Sequence, residues 1–143
     1  MAGNSTKVRT QYAALPIAVR DGEIRVMLVT SRETRRWVIP KGWPEKALKA
    51  HDLAAREACE EAGVRGKVRK QPVGTYRYDK RLTAKKTVCC EVVVFLLDVE
   101  QELDDWPEKG QRERRWMTPS EAAHLVSELS LAEILMRLAM PSN

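Results

Sequence analysis

The sequence predicts an α/β fold, an alpha/beta layered sandwich of helices around a mixed β sheet. Three observations carry this. Apolar, β-branched runs recur along the chain, the strongest being Thr87 to Val99 (TVCCEVVVFLLDV). One helical segment, about His51 to Ala62, lies between strands and is closed by Gly63. Two helical patterns end the chain, the second amphipathic and stopped by Pro141.

Taken in order, residues 1–6 read as a flexible tail. Tyr12 to Val19 is a strand buried on both faces, with Pro16 suggesting a bulge or an edge position. Asp21-Gly22 turns the chain into a second strand, Ile24 to Thr30. Ser31 to Arg36 is a polar loop and Trp37 to Pro40 a short apolar stretch, after which Gly42 and Pro44 keep the chain in a loop. The helix that follows has Asp52 in its first turn, where negative charge suits the helix dipole. Ala54, Ala55, Ala58, Cys59 and Ala62 give it an inner face of small residues, able to approach a sheet closely. Val64 to Tyr78 reads as a strand with a wet side, and Asp79 to Ala84 as a charged hairpin loop. Thr87 to Val99 is long and apolar enough to be central. Asp104 to Gln111 is a loop, and Arg112 to Met117 a short strand. TPSEAAHLV starts a helix with a capping box, Thr118 at N-cap, Pro119 at N1 and Glu121 at N3. Leu129 to Met140 is the last helix.

The 143 residues make one domain, spanning 1–143. No apolar run approaches the length of a membrane span, and the N-terminal stretch lacks a signal-peptide core. Three cysteines without a CxxC pattern imply reduced thiols and a cytoplasmic setting. The net charge of +5 suits an anionic ligand, a polyphosphate or a nucleic acid, although mildly basic small domains are common.

The chemistry concentrates in Gly42 to Val64 (GWPEKALKAHDLAAREACEEAGV). On a helix Glu57, Glu60 and Glu61 fall at i, i+3 and i+4, so their carboxylates share one face and repel. Arg56, four residues before Glu60, relieves part of this; a divalent cation would relieve the rest. Glu-rich helix faces are usually solvated surface, and the spacing of the whole segment is what overrides that reading. Gly42, Arg56-Glu57, Glu60-Glu61 and Gly63-Val64 fall in the register of G-x5-E-x7-R-E-U-x-E-E-x-G-U, with U a bulky apolar residue. Two positions depart, Leu48 for the first Glu and Ala58 for the first U.

This pattern resembles the Nudix box. With the lead-in LVTSRETRRWVIPKG and the later DDWPEKGQRERRWMTPSEA, the chain is similar to the diphosphoinositol polyphosphate phosphohydrolase-like branch of that family from about Val8 to about Leu125. The resemblance implies an alpha/beta/alpha sandwich with the box as loop-helix-loop. It implies that Glu57, Glu60 and Glu61 are metal ligands for Mg2+, with Mn2+ possible, and that Arg56 holds a carboxylate in place. It further implies hydrolysis of a phosphoanhydride in a dinucleoside polyphosphate or diphosphoinositol polyphosphate. A nucleoside diphosphate derivative is the alternative substrate, and a nucleotide- or RNA-binding domain without turnover the alternative of a different class. The Glu absent at position 48 usually supports the helix and the metal site; Glu45, three residues earlier, is placed to compensate. Ser31 and Arg32 match the branch's phosphate-binding Ser-Arg, and Lys41, replacing a glycine of its lead-in, adds a cation beside Gly42. Arg9, Arg77 and Arg114 are further substrate-binding candidates at strand ends. Glu108 and Glu113 are candidates for a base outside the box. Trp43 suits base stacking or packing equally, and Cys59 suits the core better than nucleophilic attack. The expected partners are a small polyphosphorylated substrate and, at most, a second copy of the chain; nucleic acid is possible but not favoured, and no membrane contact is expected.

Overall fold

The computed structural model describes residues 7–140. Within them the chain runs β1 (Arg9–Arg20), β2 (Glu23–Thr30), β3 (Trp37–Val38), β4 (Lys41–Gly42), α1 (Ala50–Ala62), β5 (Val64–Val68), β6 (Gly74–Thr83), β7 (Lys86–Glu102), β8 (Arg114–Met117), α2 (Pro119–Leu125) and α3 (Leu129–Ala139). The flexible tail expected at 1–6 lies outside the described residues.

The sheet is mixed, as expected. Its main path is β3-β2-β1-β7-β5, with β4 on β1, β6 on β7 and β8 on β2. β1 and β7 pair in parallel from Arg9↔Cys90 to Ile17↔Asp98, while the other pairs are antiparallel. Both faces of the centre are covered, which explains why β1, β2 and β7 read as nearly continuous apolar runs. Successive residues take opposite sides. Leu15, Val26, Leu28, Val94 and Leu96 join one core cluster, beneath Leu131, Ile134 and Leu135 of α3. Ala14, Met27, Val29, Phe95 and Leu97 join the other, beneath Ala54, Ala58 and Ala62 of α1. Each large, fully buried side chain contributes roughly 1.5–3 kcal/mol relative to exposure.

Local signals explain the element ends. Asp21 (φ 53°) and Gly22 (φ 78°) supply the two left-handed residues of a tight hairpin. Gly63 (φ 65°) closes α1, donating its N–H to the Cys59 carbonyl. The Thr118–Glu121 capping box is present in both directions.

Several sequence expectations need correction. Pro16 lies in a central strand; it falls where the flank of β1 changes partner, after Ala13 on β4 and before Ile17 on β2, so its missing N–H interrupts no continuous ladder there. Gly42 itself lies in a short strand, and the loop expected to follow it runs over residues 43–49. Val64 to Tyr78 is two strands, both paired with β7, separated by residues 69–73. Most of the expected Asp79 to Ala84 loop is strand, because β6 continues along β7 as far as Thr83. On α1, Ala55 and Cys59 are half-buried flank, and Leu53 takes the inner face in their place.

Candidate active site

α1 points its charged side into a cleft of about 1050 Å³. Ala54 and Ala58 let the helix sit closely on the sheet, and this leaves Arg56, Glu57, Glu60 and Glu61 along the cleft wall. β4 sets one boundary. Gly42 passes so near α1 that a Cβ there would lie 2.6 Å from Cδ of Glu57. The space required by the Glu57 side chain, not a left-handed backbone, is what calls for glycine at this position.

A strap of residues 103–113 closes the far end of α1. Leu103 N–H donates to the Gly63 carbonyl at 2.8 Å, and Glu108 N–H to the Glu60 carbonyl at 3.0 Å. Trp106 lies against Gly63, and the Arg114 guanidinium is 4.0 Å from its ring centroid. The strap brings Glu108 and Arg112 into the cleft. Arg112 donates from Nε to Glu108 at 2.7 Å and from Nη1 to the Thr30 carbonyl at 3.1 Å, and its Nη2 is 3.6 Å from Glu61. Nothing in the box pattern signalled Arg112, which is 51 residues after Glu61 in the chain and reaches it only through the strap.

The electrostatics are those of crowded acids. Glu61 is buried, and desolvation pushes its pKa up to about 8 against the opposing pull of Arg112 and Lys41. Burial also raises Glu57; a hydrogen bond from Glu61 opposes this, and the charge on Glu60 adds to it. Lys41 is lowered, first by desolvation, while Glu61 and Glu128 pull it back up. Its Nζ sits 5.0 Å from the Tyr78 ring centroid. Arg56 engages both carboxylate oxygens of Glu45. It lies 3.6 Å from Glu57 and 3.9 Å from Glu60.

Among the described residues no three acidic groups form a ready-made metal cage. The donor set still fits a hard cation of the Mg2+ kind, which is held by one or two carboxylates plus substrate phosphates rather than by an all-protein cage.

The remaining candidates divide. Ser31, Arg32, Lys41 and Gly42 line the cleft. The Ser31 hydroxyl is occupied in shaping its own loop, accepting from Arg36 N–H at 3.0 Å and bonding Thr34 at 2.6 Å. Arg32 contacts Gln111 at 3.2 Å. Arg9 stacks on Trp43 at 4.4 Å and does not itself line the cleft. Arg77 pairs with Glu91 at 3.6 Å, away from it. Arg114 does not line the cleft; its guanidinium donates to the carbonyls of Ala62, Gly63 and Leu103 and so caps the end of α1. Glu113 pairs with Arg115 and does not line the cleft, whereas Glu108 does. Sequence reasoning missed Lys80, Arg81 and Tyr78 of β6, Arg36, and Glu128 at the start of α3. Lys80 and Arg81 were legible only as a charged loop, since nothing in the sequence shows that β6 extends past Tyr78.

Fold and cleft together define a class: an α/β/α sandwich presenting a carboxylate-bearing helix to a cation-rimmed cleft. The NUDIX domain profile matches residues 9–138, and the chain belongs to the Nudix family. Nudix hydrolase 12, mitochondrial, of Arabidopsis thaliana is 39% identical over 106 residues, covering 72% of this chain and 52% of the relative. Diphosphoinositol polyphosphate phosphohydrolase 3-alpha of Mus musculus is 32% identical over 103 residues, covering 70% and 58%. The chain thus spans somewhat over half the length of these relatives. Solved structures share the fold at low identity. A C. elegans Ap4A hydrolase binary complex superposes with TM-score 0.67 at 15% identity, covering 92% of this chain and 96% of that one. The NUDIX domain of Shewanella oneidensis NrtR, complexed with ADP ribose, gives TM-score 0.67 at 13% identity, covering 94% and 90%.

Proposed function

We propose that this chain is a Mg2+-dependent hydrolase, with Mn2+ an admissible substitute, that cuts a phosphoanhydride bond by attack of water. Its proposed substrate is a dinucleoside polyphosphate or a diphosphoinositol polyphosphate. The observation that carries the reading is one shared cleft, in which Glu57, Glu60 and Glu61 face Arg32, Arg36, Lys41, Lys80 and Arg81. Glu57, Glu60 and Glu61 would hold a divalent cation, which would supply neutralisation of phosphate charge and acidification of a water. The cations of the 31–36 loop and of β6 bind phosphates on either side and align the anhydride. Water oxygen bonds to phosphorus, the bridging P–O bond breaks, and the leaving phosphate departs as an anion. The water's proton passes to a cleft carboxylate. Glu108 is the acceptor offered from outside the box, held in place by Arg112.

A nucleoside diphosphate derivative is the alternative substrate. A nucleotide- or RNA-binding domain without turnover is favoured by Leu48 in place of a box glutamate and by the net charge of +5. The cytoplasmic placement rests on three free cysteines; the Arabidopsis relative carries "mitochondrial" in its own name. No helix among the described residues is long and apolar enough to cross a membrane.

The test is phosphate or nucleotide release from diadenosine polyphosphates, diphosphoinositol polyphosphates, nucleoside triphosphates and ADP-ribose, with Mg2+, Mn2+ or chelator. Metal-dependent release is expected from one of the first two classes, falling by about 10²-fold or more in Glu60→Gln. Binding without release from any substrate would overturn the hydrolase reading in favour of the sensing one.

A further inference from the structure

We propose that Glu45 is a positioning residue for the α1 carboxylates, standing in for the carboxylate the chain lacks at position 48. The inference rests on the metal-dependent reading above. Arg56 has three acidic neighbours, and they are not equivalent. Both Glu45 oxygens are engaged by its terminal nitrogens, whereas Glu57 and Glu60 stand at 3.6 and 3.9 Å, beyond hydrogen-bond length. The buried Nε of Arg56 has no hydrogen-bond partner, and Glu60 is the carboxylate 3.9 Å from it. The guanidinium is therefore drawn toward the loop. It screens the repulsion between Glu57 and Glu60 without taking their lone pairs. Freed of Glu45, it would close on those oxygens in charge-assisted bonds and compete with a cation for them.

The chain delivers Glu45 by a local turn. Leu48 N–H donates to the Glu45 carbonyl at 3.2 Å, just before α1 starts at Ala50. That turn sends Glu45 back to a partner eleven residues on, while Leu48 is half-buried. The bond from Arg56 holds Glu45 below the usual carboxylate range, so the tether stays charged at neutral pH. Glu45 and Arg56 are each more than a third exposed, at 51% and 37%, so the pair adds little to folding and its effect belongs to the site.

The experiment compares the wild type with Glu45→Gln, Leu48→Glu and the double variant. It measures Mn2+ binding by electron paramagnetic resonance, kcat and KM on the substrate found above, and thermal unfolding. In Glu45→Gln, Mn2+ affinity and kcat should each fall about tenfold. KM should stay within about twofold and the unfolding temperature within about 2 °C. Leu48→Glu added to Glu45→Gln should restore Mn2+ affinity and kcat, since a carboxylate again reaches Arg56. Unchanged Mn2+ binding and kcat in Glu45→Gln would overturn the proposal, as would failure of the double variant to recover. A wild type that binds Mn2+ but hydrolyses nothing would refute the hydrolase reading and leave the Mn2+ comparison to decide Glu45. A wild type that binds no Mn2+ would refute both.

Discussion

Gly42→Ala is the sharpest probe of how the cleft fixes Glu57. Gly42 does not have a positive φ, so alanine meets no backbone penalty there. The obstacle is space. The new methyl carbon would lie 2.6 Å from Cδ, 2.7 Å from Oε1 and 2.9 Å from Cγ of Glu57. Ordinary contact begins near 3.4 Å, so the carboxyl group must retreat by roughly 0.8 Å. A displacement of about 1 Å at a reacting centre costs on the order of 10²-fold in rate. The colliding atoms are the end of a flexible side chain, so the stability loss should stay below about 1 kcal/mol. Steady-state kinetics with metal titration, set beside a thermal melt, would check this. A variant within threefold of wild-type kcat, with unaltered metal activation, would refute the claim that close approach of β4 positions Glu57. A large loss of stability would refute the claim that only a side-chain end has to move.

Glu61 makes the metal-free protein sensitive to pH. Its folded pKa, about 8, lies above the 4.5 of a free glutamate, so the folded state holds the proton more tightly. The associated stability is present below about pH 4.5 and is lost as pH rises toward 8, at up to ~1.4 kcal/mol per unit; melts from pH 5 to 8 should slope downward for the wild type more than for Glu61→Gln, and parallel curves would refute the assignment. Gly63→Ala should be costly to folding, because φ is 65° and a Cβ would meet the Trp106 ring at 2.4 Å. A loss of about 2–4 kcal/mol is expected from chemical denaturation, and a loss under about 1 kcal/mol would mean that the strap moves aside freely.

What the sequence disclosed was what local physics dictates. The α1 carboxylates follow from helical spacing, the Gly63 stop from its left-handed backbone, and the α2 start from a capping box, so all were legible. The partners of those carboxylates were not. Arg112 reaches Glu61, and Glu108 reaches the cleft, only because strap hydrogen bonds fold back onto the end of α1. Arg114 looked like one more exposed cation for a phosphate, yet α1 ends in carbonyls that need donors, and the Arg114 guanidinium joins Leu103 N–H in supplying them. Lys80 and Arg81 sat in what read as a loop, because the length of β6 is set by its pairing with β7 and not by its own composition. Glu45 was visible as a possible stand-in for the missing box residue, and the turn at Leu48 explains how it reaches Arg56.

The parallel pairing of β1 with β7 has a consequence for biosynthesis. Arg9 finds its neighbour only at Cys90, and β5 and β6 also depend on β7. A nascent chain can form the β1–β2 hairpin and trial turns of α1, but its sheet stays split until residues near Glu102 have left the ribosome. Closing such sequence-distant pairs is entropically slow. Meanwhile the β7-facing edge of apolar β1 waits unpaired, and the more polar β5 and β6 have no strand to join. Completion of the sheet is thus deferred until β7 has been made, and the interval before it is when the chain most needs protection from aggregation.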